Sequence, residues 1–134
     1  MAKRIRSDPG MRQKADGSLV TLADTEIEGW LQTVLPELVP GTTVWGEEAG
    51  VKAPGPNGLW LVDPIDGTTN YAYGSPLWGV SVALLQEGQV VLGGIVLPDL
   101  HEVYSAHVGG GATCNGQPLP VVRPGPILDT ECVS

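Results

Sequence analysis

Cations are scarce in this chain of 134 residues: seven Lys and Arg stand against fifteen Asp and Glu, a formal charge of −8. Five of the seven (Lys3, Arg4, Arg6, Arg12, Lys14) lie in residues 1–14, so residues 15–134 keep two cations against fourteen acids. A body this poor in positive charge excludes a general nucleic-acid binder, which needs a basic face for the phosphate backbone. Cysteine is equally scarce. Cys114 and Cys132 form no CxxC pair and stand at no zinc spacing with His101 or His107, which excludes a zinc module. Two idle thiols fit a reducing, cytoplasmic setting. The basic segment 1–13 has no apolar core and is therefore no secretory signal; it reads as a solvated, disordered terminus. A long apolar run is missing as well. Leu77–Leu97 comes nearest, but Gln86-Glu87-Gly88-Gln89 breaks it, and two apolar runs around a polar Gly turn make a hairpin rather than a membrane span.

What is present describes one globular domain. Hydrophobic residues make up 42% and charged residues 16%, and the length allows one real core. Thr21-Leu-Ala-Asp24 has the form of a helix start, with an acid three residues after a Thr cap. Ile27, Trp30, Leu31, Val34 and Leu35 then form one apolar stripe, and Pro36 is expected to end the helix. Val44-Trp45 leads into Gly46-Glu47-Glu48, and Leu59–Val62 reads as a buried strand. Asn70–Pro76 reads as irregular, and strands follow near 77–85, 89–97 and 102–106. Gly109-Gly110-Gly111 lacks the Lys-Ser/Thr of a P-loop and opens no helix, so it reads as a hairpin turn. The expected fold class is α+β, an antiparallel sheet with a packed helix.

Chemistry concentrates where the buried strand ends. In Trp60-Leu-Val-Asp63-Pro-Ile-Asp66-Gly-Thr-Thr-Asn70, two carboxylates stand three residues apart with Pro64 stiffening the backbone between them. Gly67-Thr68 can present backbone N–H groups to an anion. Paired carboxylates beside an anion cradle conflict unless a hard divalent cation lies between them, and Mg²⁺ bridges carboxylates to phosphate in this way.

Asp63-Pro-Ile-Asp-Gly-Thr-Thr-Asn70 resembles the signature of the inositol monophosphatase family, Mg²⁺-dependent, lithium-sensitive phosphatases of inositol and sugar phosphates. Val20-Thr-Leu-Ala-Asp24 is similar to the family's V-T-x-x-D, Gly46-Glu47-Glu48 to its G-E-E, and Cys114-Asn-Gly-Gln-Pro-Leu119 to its C-N-G-x-x-L turn. Ser81–Leu84 falls where the family has a hairpin strand. The resemblance spans residues 14–134 and implies the N-terminal domain of the family's αβαβα fold. It implies that Glu47, Asp63, the Ile65 carbonyl and Asp66 bind Mg²⁺, that Gly67 and Thr68 bind phosphate through their N–H groups, and that Thr68, Glu47 and Asp24 position or deprotonate the attacking water. The implied substrate is a small phosphorylated polyol or sugar. Tyr71, Tyr73 and Trp78 suit either a substrate mouth or the core, and His101 and His107 match no catalytic position.

The family also carries W-D-x-A-A-G in a second domain, its Asp completing the second metal site. The four tryptophans here precede Leu31, Gly46, Leu61 and Gly79, so these residues hold no Trp-Asp. The resemblance thus implies a truncated chain with little activity alone. A homodimer or a complementing second domain stays open as partner. The alternative function is a non-catalytic metal-binding or interaction module that pairs with another chain.

Overall fold

The computed structural model describes residues 10–13, 19–48, 50 and 52–121. Of the basic segment 1–13, residues 1–9 lie outside that set, as does Cys132. Arg12–Gln13 (β1) pairs antiparallel with Leu19–Val20 (β2). Helix α1 then runs Leu22–Leu38. The remaining strands are Thr43–Gly46 (β3), Leu59–Asp66 (β4), Gly79–Gln86 (β5), Gln89–Leu97 (β6), Glu102–His107 (β7), Gly111–Cys114 (β8) and Gln117–Pro118 (β9). A short helix, α2, spans Thr68–Ala72 between β4 and β5.

Strands β3 to β9 form one seven-stranded sheet in chain order. Every pair from β4 onward is antiparallel: β5 to β9 follow one another through short turns, and β4 is joined to β5 by the segment that holds α2. The α+β class expected from the sequence holds, with one parallel pair in the sheet: β3 lies parallel to β4, Val44 opposite Trp60 and Gly46 opposite Val62. The two strands are separated by twelve positions in the sequence, the long connection a parallel pair requires.

Helix α1 packs on β3 and β4. Its buried face is Ala23, Asp24, Ile27, Glu28, Leu31 and Leu35. Of these, Ala23, Ile27, Leu31 and Leu35 meet Val44, Trp60, Val62, Ile65, Tyr71, Trp78 and Leu84 in one core, and burial of each Leu or Ile contributes about 1.5–3 kcal/mol. Two sequence expectations change here. Trp30 is 56% exposed rather than core, because the helix turns its 24/28 edge to the sheet. Pro36 lies inside α1, which ends two residues later at Leu38. Its missing N–H removes one hydrogen bond in the last turn, where the Val39 N–H to Leu35 O bond (3.1 Å) still closes the helix.

Two further boundaries differ. Strand β4 continues through Asp63–Asp66, its register shifting between Asp63 and Asp66. Residues 68–72 are helical rather than irregular. Among the described residues no helix is long and apolar enough to cross a membrane.

Candidate functional site

The C-terminal end of β4 gathers residues from four elements. Pro64 and Ile65 interrupt the pairing of β4 with β5, so the backbone bulges between Asp63 and Asp66. The Ile65 N–H donates to Asp63 Oδ1 at 3.2 Å. Gly67 then takes φ +82, and a Cβ there would lie 3.1 Å from the Leu77 carbonyl oxygen. Both the left-handed backbone and the close approach require glycine. From Gly67 the chain enters α2, with the Tyr71 N–H bonded to Gly67 O at 2.9 Å. As cap and first helical residue, Gly67 and Thr68 present N–H groups that precede the helix's own bonds.

Asp24 reaches this corner from the start of α1 and is 2% exposed. Its Oδ2 accepts the Thr21 N–H at 2.8 Å and the Thr21 hydroxyl at 2.6 Å. Its Oδ1 lies 3.5 Å from Thr68 Oγ1, an alternative acceptor for the one proton that this hydroxyl donates to the Ile65 carbonyl at 3.0 Å. One carboxylate therefore caps α1 with one oxygen and addresses the β4–α2 corner with the other. The second lone pair of the Ile65 carbonyl remains for another partner.

Electrostatics tie Glu47 to the same corner. The Asp63 carboxyl is pushed up from 3.8 to about 6, first by burial, then by the negative charges of Glu47 and Asp66, with Asp24 adding less. The Ile65 N–H opposes the rise. Among the described residues no three His, Cys, Asp or Glu side chains form a ready metal-ion cluster. The carboxylates are neighbours that feel one another's charge without having converged. This donor set suits Mg²⁺, which takes oxygen ligands, keeps several waters and needs only one or two carboxylates beside substrate phosphate.

The structure brings Asp24, Glu47, Asp63, Ile65, Asp66, Gly67 and Thr68 into this neighbourhood. Tyr71 and Trp78 belong to the core instead, their rings edge to face with centroids 4.9 Å apart. Tyr73 is exposed, as are His101 and His107. Cys114 carries a free thiol on β8.

Three supports escaped the sequence reading. Trp78 Nε1 donates to Asp99 Oδ2 at 2.6 Å, fastening the β6–β7 turn to the segment behind Gly67. Asn70 Nδ2 donates to Leu77 O at 2.7 Å and closes the loop after α2. The third, Glu28, had a signal in its spacing, since it follows Asp24 by four residues and shares its helix face.

On the sheet face opposite α1, an open trough of about 650 Å³ runs from Glu47 and Asp63 across Leu61, Ala83 and Ala106. Small residues at its centre, Ala83, Gly93 and Gly94, leave the hollow unfilled.

A sheet led by one parallel pair, with a strand that ends in a carboxylate-rich bulge, defines an α+β fold. The model of the inositol monophosphatase family matches residues 2–134, and the chain belongs to that family. It is 39% identical over 118 residues to an inositol-1-monophosphatase of Mesorhizobium japonicum, covering 87% of this chain and 44% of that protein. It is 40% identical over 108 residues to a histidinol-phosphatase of Chlorobaculum parvum, covering 81% of this chain and 42% of the relative. Among solved structures, the Thermotoga maritima IMPase superposes with a TM-score of 0.82 at 30% identity, over 90% of this chain and 48% of that one. An IMPase/NADP phosphatase solved with Mg²⁺ and phosphate superposes at 0.74 and 28% identity, over 87% of this chain and 45% of that one. The chain thus spans about half the length of these relatives.

Proposed function

We propose that this chain contributes one half of the site of a Mg²⁺-dependent phosphomonoester hydrolase acting on inositol or sugar phosphates. The observation that carries this reading is the Thr68 hydroxyl, held between Asp24 Oδ1 and the Ile65 carbonyl beside a crowded Asp63. In this reading Glu47, Asp63, the Ile65 carbonyl and Asp66 hold the cation. The Gly67 and Thr68 N–H groups receive phosphate oxygens.

Bound Mg²⁺ would neutralise charge on the phosphate and make nearby water more acidic. The chain's own residues supply direction. With the Ile65 carbonyl taken up by the cation, the Thr68 hydroxyl would turn its one proton from that carbonyl to Asp24 Oδ1 and accept the proton of a water hydrogen-bonded to it. Asp24 is suited to receive the hydroxyl's proton because its other oxygen is fixed by Thr21. Glu47, at the rim, orients the same water. No side chain here needs to attack phosphorus, so the displacement is by water, without a covalent enzyme intermediate.

The relatives' names support the substrate class: inositol-1-monophosphatase, histidinol-phosphatase, and a fructose-1,6-bisphosphatase/inositol-1-monophosphatase of Aquifex aeolicus. The structure solved with Mg²⁺ and phosphate supports the cofactor. Calorimetric titration of the chain with Mg²⁺, repeated on Asp63→Asn and Asp66→Asn, tests the site. Loss of binding in both variants is expected, and unchanged binding in both would sink the assignment.

A further inference from the structure

Glu28 is 3% exposed on the sheet-facing side of α1. Its Oε2 accepts the backbone N–H of Glu48 at 2.8 Å, and its Oε1 accepts Gln32 Nε2 at 3.2 Å. The carboxyl group lies directly over Gly46, where an added Cβ would collide with its carbon and both oxygens. The same acid therefore touches the chain immediately before and immediately after Glu47. Gly46 ends β3 opposite Val62, the residue before Asp63 in β4. The end of β3 is thus tied to β4 by the sheet and to α1 by a buried carboxylate. Burying a carboxylate is costly unless its hydrogen bonds are made, and here one of them is spent on the turn that carries Glu47.

We infer that Glu28 is a positioning residue: by holding the Glu48 N–H and fitting against bare backbone at Gly46, it aims the Glu47 carboxylate at the Asp63 corner. Glu28 touches neither cation nor substrate. Its effect passes through the backbone of residues 46–48. This inference rests on the reading of Glu47 and Asp63 as cation ligands.

The test measures Mg²⁺ affinity of the full chain by calorimetry and Mn²⁺ binding by electron paramagnetic resonance, alongside thermal melting in EDTA. Glu28→Met keeps the volume and removes the acceptor. Glu28→Gln keeps an oxygen for the Glu48 N–H. Groups that orient metal ligands typically change affinity by about 10–100-fold, so Glu28→Met should weaken Mg²⁺ binding within that range and Glu28→Gln should restore most of it. Should Glu28→Met not fold, Gly46→Ala displaces the carboxylate from the turn while keeping the acid, and the same weakening is expected. If Asp63→Asn abolishes binding while Glu28→Met, or Gly46→Ala in its place, binds like wild type and differs only in melting temperature, the positioning role is overturned and the site stands. An affinity loss in Glu28→Gln as large as in Glu28→Met also overturns it. If Asp63→Asn binds Mg²⁺ as wild type does, the site reading itself fails and takes Glu28's role with it.

Discussion

At Asp63, burial and the charges of Glu47 and Asp66 raise the carboxyl to about 6. A group whose pKa is raised by folding favours the folded state only while protonated. The penalty is absent below 3.8, grows between 3.8 and about 6, and is full above that. The whole shift would correspond to about 3 kcal/mol, and solvent screening of this half-buried group reduces it to about 1 kcal/mol. Asp63→Asn should therefore raise the metal-free stability by about 1 kcal/mol at pH 7.5 and leave it unchanged at pH 3.5, as read by urea unfolding at both pH values. On the proposed cation site, Mg²⁺ should stabilise the wild type and leave the unfolding midpoint of this variant unchanged. Gly67 makes a second residue-scale case. With φ +82 and the Leu77 carbonyl facing it, Gly67→Ala should cost about 1–2 kcal/mol, and denaturant unfolding in EDTA measures it.

Among the elements, α1 shows what was legible in the chain and what was not. The stripe from Ile27 to Leu35 announces an amphipathic helix, and Thr21–Asp24 its start. Periodicity does not say which edge of the stripe meets the sheet, because that depends on Gly46 leaving room for Glu28. Hence Trp30 looks like core and is exposed, whereas Glu28 looks like surface and is buried. Leu31→Ala should cost about 2–5 kcal/mol and Trp30→Gln no more than about 0.5 kcal/mol, a contrast that thermal melting of both variants would check. Pro36→Ala restores one N–H to the last turn of α1 and should stabilise by about 1 kcal/mol; an unchanged or lower urea midpoint would contradict it. The Asp63–Thr68 corner was legible because its groups are contiguous on one strand end and its turn. The partnership of Asp24 with Thr68 spans forty-four residues, and only the resemblance to a family linked them beforehand.

For the whole molecule, hairpin succession was readable from apolar runs and polar turns, which is why β5, β6 and β7 fall close to the expected ranges. The parallel entry of β3 was not, since its register depends on how residues 47–58 travel and no local pattern encodes that path. Shared length with relatives bears on activity. The chain covers 44% of the Mesorhizobium enzyme and 48% of the Thermotoga structure, and its 134 residues contain no Trp-Asp pair. With Mg²⁺ present, phosphate release from inositol 1-phosphate by this chain alone should fall far below that of a full-length relative assayed beside it. Comparable Mg²⁺-dependent turnover would refute that expectation.

Sheet order also bears on the sequence of events in folding. From β5 to β9 each strand joins the next through a short turn, and such hairpins close in roughly 1–10 μs. Asp63 and Asp66 stand on β4 at the margin of this block, while Asp24 and Glu47 arrive from α1 and the end of β3. Amides of β5–β7 should gain protection before those of β3 and Glu48 in pulse-labelled hydrogen exchange. The four acids would then meet only after the rate-limiting barrier, so Mg²⁺ should slow unfolding far more than it speeds folding. In a chevron plot, the cation would lower the unfolding arm and leave the folding arm nearly in place.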